Sequence, residues 1–281
     1  MKAILCLLAA ASTLAAEPAA RIVSAGGSIT ETIYALGAQD QLVAVDISSV
    51  YPAEAEKLPK VGYARQLAAE GILSVNPTVV IAHDDAGPSE VLTQLEKANV
   101  KLVRLSNEHT VESAEERIRQ IGDLVGKKAE ATALAESLHR DLKTAQERAA
   151  AAGTKPKVLF IYTRGGGVMN VAGTKTGADA IIALAGGTNA ITGYEGYKPL
   201  TAEAAVAAEP DVILVTSRGL ESSGGIDELL KQPGLSSTPA GQARRVIAMD
   251  DLYLLGFGPR LGQAALELNE KIHAQPSVAK Q

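Results

Sequence analysis

Short apolar runs alternate with longer amphipathic stretches along most of the chain. The segment Arg21-Ile22-Val23-Ser24-Ala25-Gly26-Gly27-Ser28 reads as a strand entering a glycine turn, followed by a helix over Ile29–Leu36 that Gly37 closes. Further strands are predicted at Leu42–Asp46, Val79–Ala82 and Lys101–Leu105, with a helix over Glu90–Ala98 between the last two. The alternation resumes beyond Pro156. It gives strands at Lys157–Tyr162, Asp211–Val215 and Arg245–Met249, a helix over Gly177–Ala185, and a closing helix over Leu261–His273. Such alternation predicts an α/β fold with mostly parallel sheets covered by helices on both faces.

Between Val111 and Ala152 the pattern changes. There is no proline, helix formers dominate, and apolar residues recur near the helical period at Ile118, Ile121, Leu124, Val125, Leu134, Leu138 and Leu142. A continuous helix of ~40 residues would reach roughly 60 Å, so the segment is expected to bridge two lobes, with Gly122 and Gly126 as points of bending. The resulting division is 21–110 for an N-terminal lobe, 111–152 for the bridge, 155–275 for a C-terminal lobe and 276–281 for a tail.

An internal echo supports two similar lobes. Leu67, Glu70 and Pro77 recur as Leu200, Glu203 and Pro210, each 133 positions later (67 to 200, 70 to 203, 77 to 210). Each unit reads as a helix starting near a glutamate, a break before proline, then a buried strand.

The first 16 residues combine Lys2, an apolar run and small residues ahead of Glu17, the pattern of a secretory signal peptide. Cys6, the only cysteine, lies inside that run. The mature chain is therefore expected to be periplasmic, without disulfide or lipid tether. Hydrophobic residues make up 46% of the chain and charged residues 21%, an ordinary soluble balance. A net charge of −5 with no basic face argues against a nucleic-acid partner. There is no Gly-x-Ser-x-Gly elbow, no paired catalytic acids, and no histidine near the Ser24–Ser28 loop in sequence, so catalysis is not expected.

The candidate chemistry lies in Gly62-Tyr63-Ala64-Arg65-Gln66-Leu67-Ala68-Ala69-Glu70. A phenolate is a hard anionic ligand suited to ferric haem iron. A free phenol titrates near ~10, and both bound metal and a neighbouring guanidinium favour its ionised form. On the residues alone Tyr63 reads better as a half-buried loop tyrosine hydrogen-bonded to backbone than as a ligand, and Arg65 reads almost equally as a solvated surface arginine. In the second half, Arg164-Gly165-Gly166-Gly167-Val168-Met169 follows a strand. Its glycines permit close backbone approach to a flat ligand, or simply form a turn. Met169 is either a porphyrin-face contact or a core residue. Arg218 follows the strand ending at Thr216, at the edge where open α/β sheets bind ligands, and reads either as an anion partner or as a surface residue. Arg164 is a weaker candidate of the same kind. Tyr194 and Tyr197 either line a cleft or close their own loop.

These motifs, with Val171-Ala172-Gly173 and Gly193-Tyr194-Glu195-Gly196-Tyr197-Lys198-Pro199-Leu200, resemble the periplasmic haem-binding proteins of bacterial haem-uptake ABC transporters. Those proteins fall within the helical-backbone class of solute-binding proteins that also carry cobalamin and siderophores. The resemblance spans nearly the whole mature chain. It implies the class III periplasmic-binding fold, two Rossmann-like lobes joined by a long α-helix. It further implies ferric haem b as cargo, Tyr63 as the axial iron ligand with Arg65 beside it, and Arg218, Arg164, Gly166 and Met169 around the porphyrin. Glu70 and Glu203 would dock on arginines of an inner-membrane permease served by its ATPase, downstream of an outer-membrane haem receptor system. Small lobe motion and a monomer are expected. The loop after Thr163 lacks the histidine that some relatives use as a second ligand, which favours one haem over two. Cobalamin or a ferric siderophore is the alternative cargo.

Overall fold

A computed structural model describes residues 20–163 and 169–274; the expected signal peptide and tail lie outside these residues. The first lobe holds β1 (Ile22–Ala25), β2 (Leu42–Val45), β3 (Gly62–Tyr63), β4 (Gln66–Leu67), β5 (Val79–His83) and β6 (Lys101–Leu105). Four of these form a parallel sheet in the order β2-β1-β5-β6. Parallel neighbours need crossover connections, and the helices Gly27–Ala35 and Ser89–Lys97 supply two of them. The second lobe holds β7 (Lys157–Thr163), β8 (Met169–Ala172), β9 (Thr188–Asn189), β10 (Tyr197–Pro199), β11 (Val212–Thr216) and β12 (Val246–Met249), with β10-β8-β7-β11-β12 in order and β9 beside β7.

This second sheet is mixed. β7, β9, β11 and β12 pair in parallel, whereas β8 and β10 extend the sheet antiparallel. Only five residues separate Thr163 from Met169, too few for a parallel crossover, so β8 folds back on β7. The internal echo holds in three dimensions: β5 and β11 begin 133 positions apart (79 to 212). Each follows a helix with a glutamate in its first turn, Ala69–Leu73 or Ala202–Ala208.

The segment 111–152 is helical but is not one rod. It forms two packed helices, Val111–Leu124 and Lys128–Ala152, so the expected 40-residue span is corrected to 25 residues, roughly 37 Å. Gly126 adopts the left-handed conformation (φ 73°), and the Lys127 amide donates to the Gly122 carbonyl at 2.7 Å, a glycine C-cap that closes the first helix. Gly122 is needed as well, because a Cβ there would lie 2.2 Å from the Ala131 methyl carbon of the returning helix.

One core runs continuously through both lobes. Ile22, Ile33 and Leu105 from the first sheet side join Ile118, Leu138 and Leu142 of the helix pair, then Phe160, Ile181, Leu214 and Leu268. Separate clusters cover the outer face of each sheet. Polar links reinforce the join: buried Arg117 donates to the Ser106 carbonyl at 2.8 Å and to the Phe257 carbonyl at 2.6 Å. Among the described residues no helix is long and apolar enough to cross a membrane.

Candidate interlobe binding site

A cleft of about 680 Å³ opens between the lobes, within the ~300–1,000 Å³ of small-molecule sites. Ile47, Ser48, Val50, Tyr63 and Gln66 line one wall; Tyr162, Arg218, Asp251, Leu252 and Leu255 line the other. The second wall is built from the C-terminal ends of β7, β11 and β12, where parallel strands present their ligand edge.

Tyr63 sits on a tight hairpin. β3 and β4 are joined by Ala64-Arg65 alone, with Tyr63 paired to Gln66. The hairpin is tied to the turn after β5 by two backbone bonds, Gly87 N–H to Ala64 O at 3.0 Å and Leu67 N–H to Gly87 O at 2.8 Å. This turn folds Arg65 back, and its Nη1 donates to the Tyr63 oxygen at 3.0 Å. Arg65 Nε and Nη2 both donate to Asp85 Oδ2, at 2.8 and 2.5 Å, and Asn107 Nδ2 donates to the same oxygen at 3.1 Å. The Asp85 hydrogen bond raises the Arg65 pKa further above its ordinary value. Partial burial alone would raise the Asp85 carboxyl, but the Arg65 hydrogen bond and charge outweigh it and hold the carboxyl below its usual range.

Arg218 faces the same cleft from the helix Ser217–Ser222, which Thr216 caps through its hydroxyl. Its guanidinium has no ion-pair partner among the described residues. Tyr162 stacks on Phe160 with ring centres 6.5 Å apart and leans on Tyr197 at 5.8 Å. Tyr194 and Tyr197 lie outside the cleft lining: the Tyr194 hydroxyl donates to the Val171 carbonyl at 3.3 Å, which ties the Tyr194 loop to β8. Met169 packs against the outer core of the second sheet and does not line the cleft. Arg164 and Gly166 lie outside the described residues. Glu70 and Glu203 are exposed in the first turns of their helices.

Two residues carry information that sequence reading missed. Asp251 lines the cleft wall, and its Oδ2 is buried with no hydrogen-bond partner among the described residues. Its position just after β12 was the available signal. Ser28 is also met by a histidine after all, since His83 Nε2 lies 3.0 Å from its hydroxyl. Both residues are buried and neither lines the cleft. A Cβ at Gly26 would lie 2.7 Å from the imidazole, so the glycine makes room for it. Burial, with the nearby Arg117 charge, lowers the His83 pKa to about 4. Among the described residues no group of three or more histidine, cysteine or acidic side chains is arranged to hold a free metal ion.

Two sheets sharing a core, with an open, largely apolar cleft between their ligand edges, define a two-lobed solute-binding protein. The chain belongs to the family described as periplasmic binding protein, whose pattern matches residues 22–253. That family binds solutes rather than transforming them, and its place is periplasmic or extracytoplasmic. Among solved structures, the chain is 46% identical to the periplasmic heme-binding protein RhuT from Roseiflexus sp. RS-1, with a TM-score of 0.87 over 91% of this chain and 98% of that one. It is 41% identical to the periplasmic heme-binding protein BhuT in complex with two hemes, with a TM-score of 0.85 over 90% and 98%. Among curated sequences, it is 30% identical to the uncharacterized ABC transporter substrate-binding lipoprotein YvrC of Bacillus subtilis, over 93% of this chain and 82% of that protein. It is 27% identical to the vitamin B12-binding protein of Vibrio parahaemolyticus, over 92% and 91%.

Proposed function

We propose that the protein captures ferric haem in the interlobe cleft, with the Tyr63 phenolate as axial iron ligand, and delivers it to an inner-membrane ABC permease. The observation that carries this reading is the Arg65–Tyr63 contact at the cleft wall. A cation within hydrogen-bond reach favours the phenolate that a ferric ion requires. The Arg218 guanidinium on the opposite wall, without an ion-pair partner among the described residues, suits a propionate, and the apolar side chains of Ile47, Val50, Leu252 and Leu255 suit the porphyrin faces. The likeness to two heme-binding proteins at 41–46% identity supports haem over cobalamin, for which the cited relative is 27% identical.

One haem per chain fits the absence of histidine from the segment 164–168, although BhuT was solved with two. Glu70 and Glu203 are the docking acids, one per lobe. The first 16 residues direct export and are removed with Cys6, leaving a soluble, untethered periplasmic monomer. The test is a hemin titration followed by absorption spectroscopy, with cyanocobalamin in parallel. Saturable 1:1 hemin binding with a tyrosinate charge-transfer band in wild type, absent from Tyr63→Phe, is the expected result. Cobalamin binding without hemin binding would overturn the reading.

A further inference from the structure

We infer that Asp85 is a positioning residue for the haem ligand, acting through Arg65 to hold a hydrogen-bond donor on the Tyr63 oxygen; this rests on the reading of Tyr63 given above. Arg65 is the only hydrogen-bond partner of the Tyr63 hydroxyl among the described residues, yet its side chain is 56% exposed. A long exposed arginine has many rotamers open to it and would not dwell on one acceptor unaided. Asp85 removes that freedom by taking Nε and Nη2 together, which leaves Nη1 as the nitrogen aimed at the phenol.

The carboxylate is itself held. Asn107 Nδ2 donates to Asp85 Oδ2, while the Asn107 backbone N–H donates to Asp84 Oδ1 at 3.1 Å. The relay therefore runs from the end of β6, through the turn after β5, to the β3–β4 hairpin. The two backbone bonds through Gly87 keep hairpin and turn in register. A hydrogen-bond donor preset in this way spares the complex the ordering cost at the moment of binding.

The opposite role for Asp85 is also physically coherent, and the two differ in sign. If the carboxylate merely offset the Arg65 charge, removing it would leave a stronger donor on the phenolate. If it positions Arg65, removing it would lose the donor. A donor withdraws electron density from the phenolate and moves the phenolate-to-iron charge-transfer band to higher energy. Its loss moves the band to lower energy.

The experiment is a hemin titration with full spectra of wild type, Tyr63→Phe, Arg65→Ala, Asp85→Asn, Asp85→Glu and the Arg65→Ala/Asp85→Asn double variant, each checked for an unchanged thermal melt. Hydrogen bonds to charged groups contribute ~1.5–3 kcal/mol, so Arg65→Ala is expected to weaken binding by about tenfold or more. Asp85→Asn should match it within about threefold and shift the band the same way, to lower energy. The double variant should lose nothing beyond Arg65→Ala, since both act through one contact. Asp85→Glu should recover part of the shift. A band unmoved or moved to higher energy in Asp85→Asn, or additive losses in the double variant, would overturn the inference. If Tyr63→Phe keeps the wild-type spectrum, the haem-ligand reading itself fails; if Tyr63→Phe loses the band while Asp85→Asn behaves as wild type, only the role of Asp85 fails.

Discussion

Arg260 and Glu31, 229 positions apart in sequence, form a two-point ion pair across the lobes. Arg260 Nε and Nη2 meet the two carboxylate oxygens of Glu31, whose side chain is only 4% exposed. The guanidinium also lies over the Tyr51 ring at 3.7 Å and the Tyr253 ring at 4.8 Å. Removing one partner of a buried pair strands the other charge and costs ~3–5 kcal/mol. Arg260→Ala is therefore expected to lower unfolding free energy by about 3 kcal/mol, read by urea denaturation. A loss below about 1 kcal/mol would show that the pair is not what joins the lobes here.

Tyr63→Phe removes one oxygen and leaves the ring. Hemin affinity should fall by well over tenfold and the charge-transfer band should vanish, with the melting temperature unchanged. A spectral titration measures both quantities in one series.

Arg218→Ala tests the opposite wall. If its guanidinium meets a propionate, hemin binding should weaken several-fold while the band stays in place, because the iron ligand is untouched. Loss of the band in this variant would mean that Arg218 acts on Tyr63 instead.

Glu70→Ala combined with Glu203→Ala should leave hemin affinity at the wild-type value and lower haem delivery in a vesicle transport assay with the permease complex. Both acids are exposed on helix starts away from the cleft lining, so weakened hemin binding would contradict the docking role.

His83 predicts a pH dependence of stability. Its folded pKa is lowered to about 4 by burial and by the Arg117 charge, whereas an unfolded imidazole titrates near ~6.5. Between those values the unfolded chain binds a proton that the folded chain does not, so stability is full above ~6.5 and is lost as pH falls toward 4. The loss is on the order of 3 kcal/mol. His83→Asn should flatten this slope in denaturation curves at pH 7, 5.5 and 4.5; an unchanged slope would assign it to other groups.

The alternation of apolar runs and amphipathic stretches was enough to place β1, β2, β5, β6, β7, β11 and β12 and the helices Gly27–Ala35, Gly177–Leu184 and Leu261–His273, because buried parallel strands read as continuous apolar segments. The short strands were not legible. β3 and β4 are two residues each, too brief for any period to show, and their Ala64-Arg65 turn lacks the Asn-Gly or Asp-Gly signal of a hairpin. The break in the helical segment was visible only as two glycines. What decided between a bend and a full reversal was the contact of Gly122 with Ala131, made from the returning helix.

Local order along the chain thus determined the α/β class, the repeated helix–proline–strand unit, and Tyr63 with Arg65 as neighbours, because each depends on residues within a few positions of one another. Only the tertiary structure brought Asp85 and Asn107 onto Arg65, Asp251 and Arg218 across from Tyr63, His83 onto Ser28, and Arg260 onto Glu31. Each of those pairings joins strand ends or helix ends remote in sequence, and neither composition nor periodicity carries the register in which sheets and lobes meet.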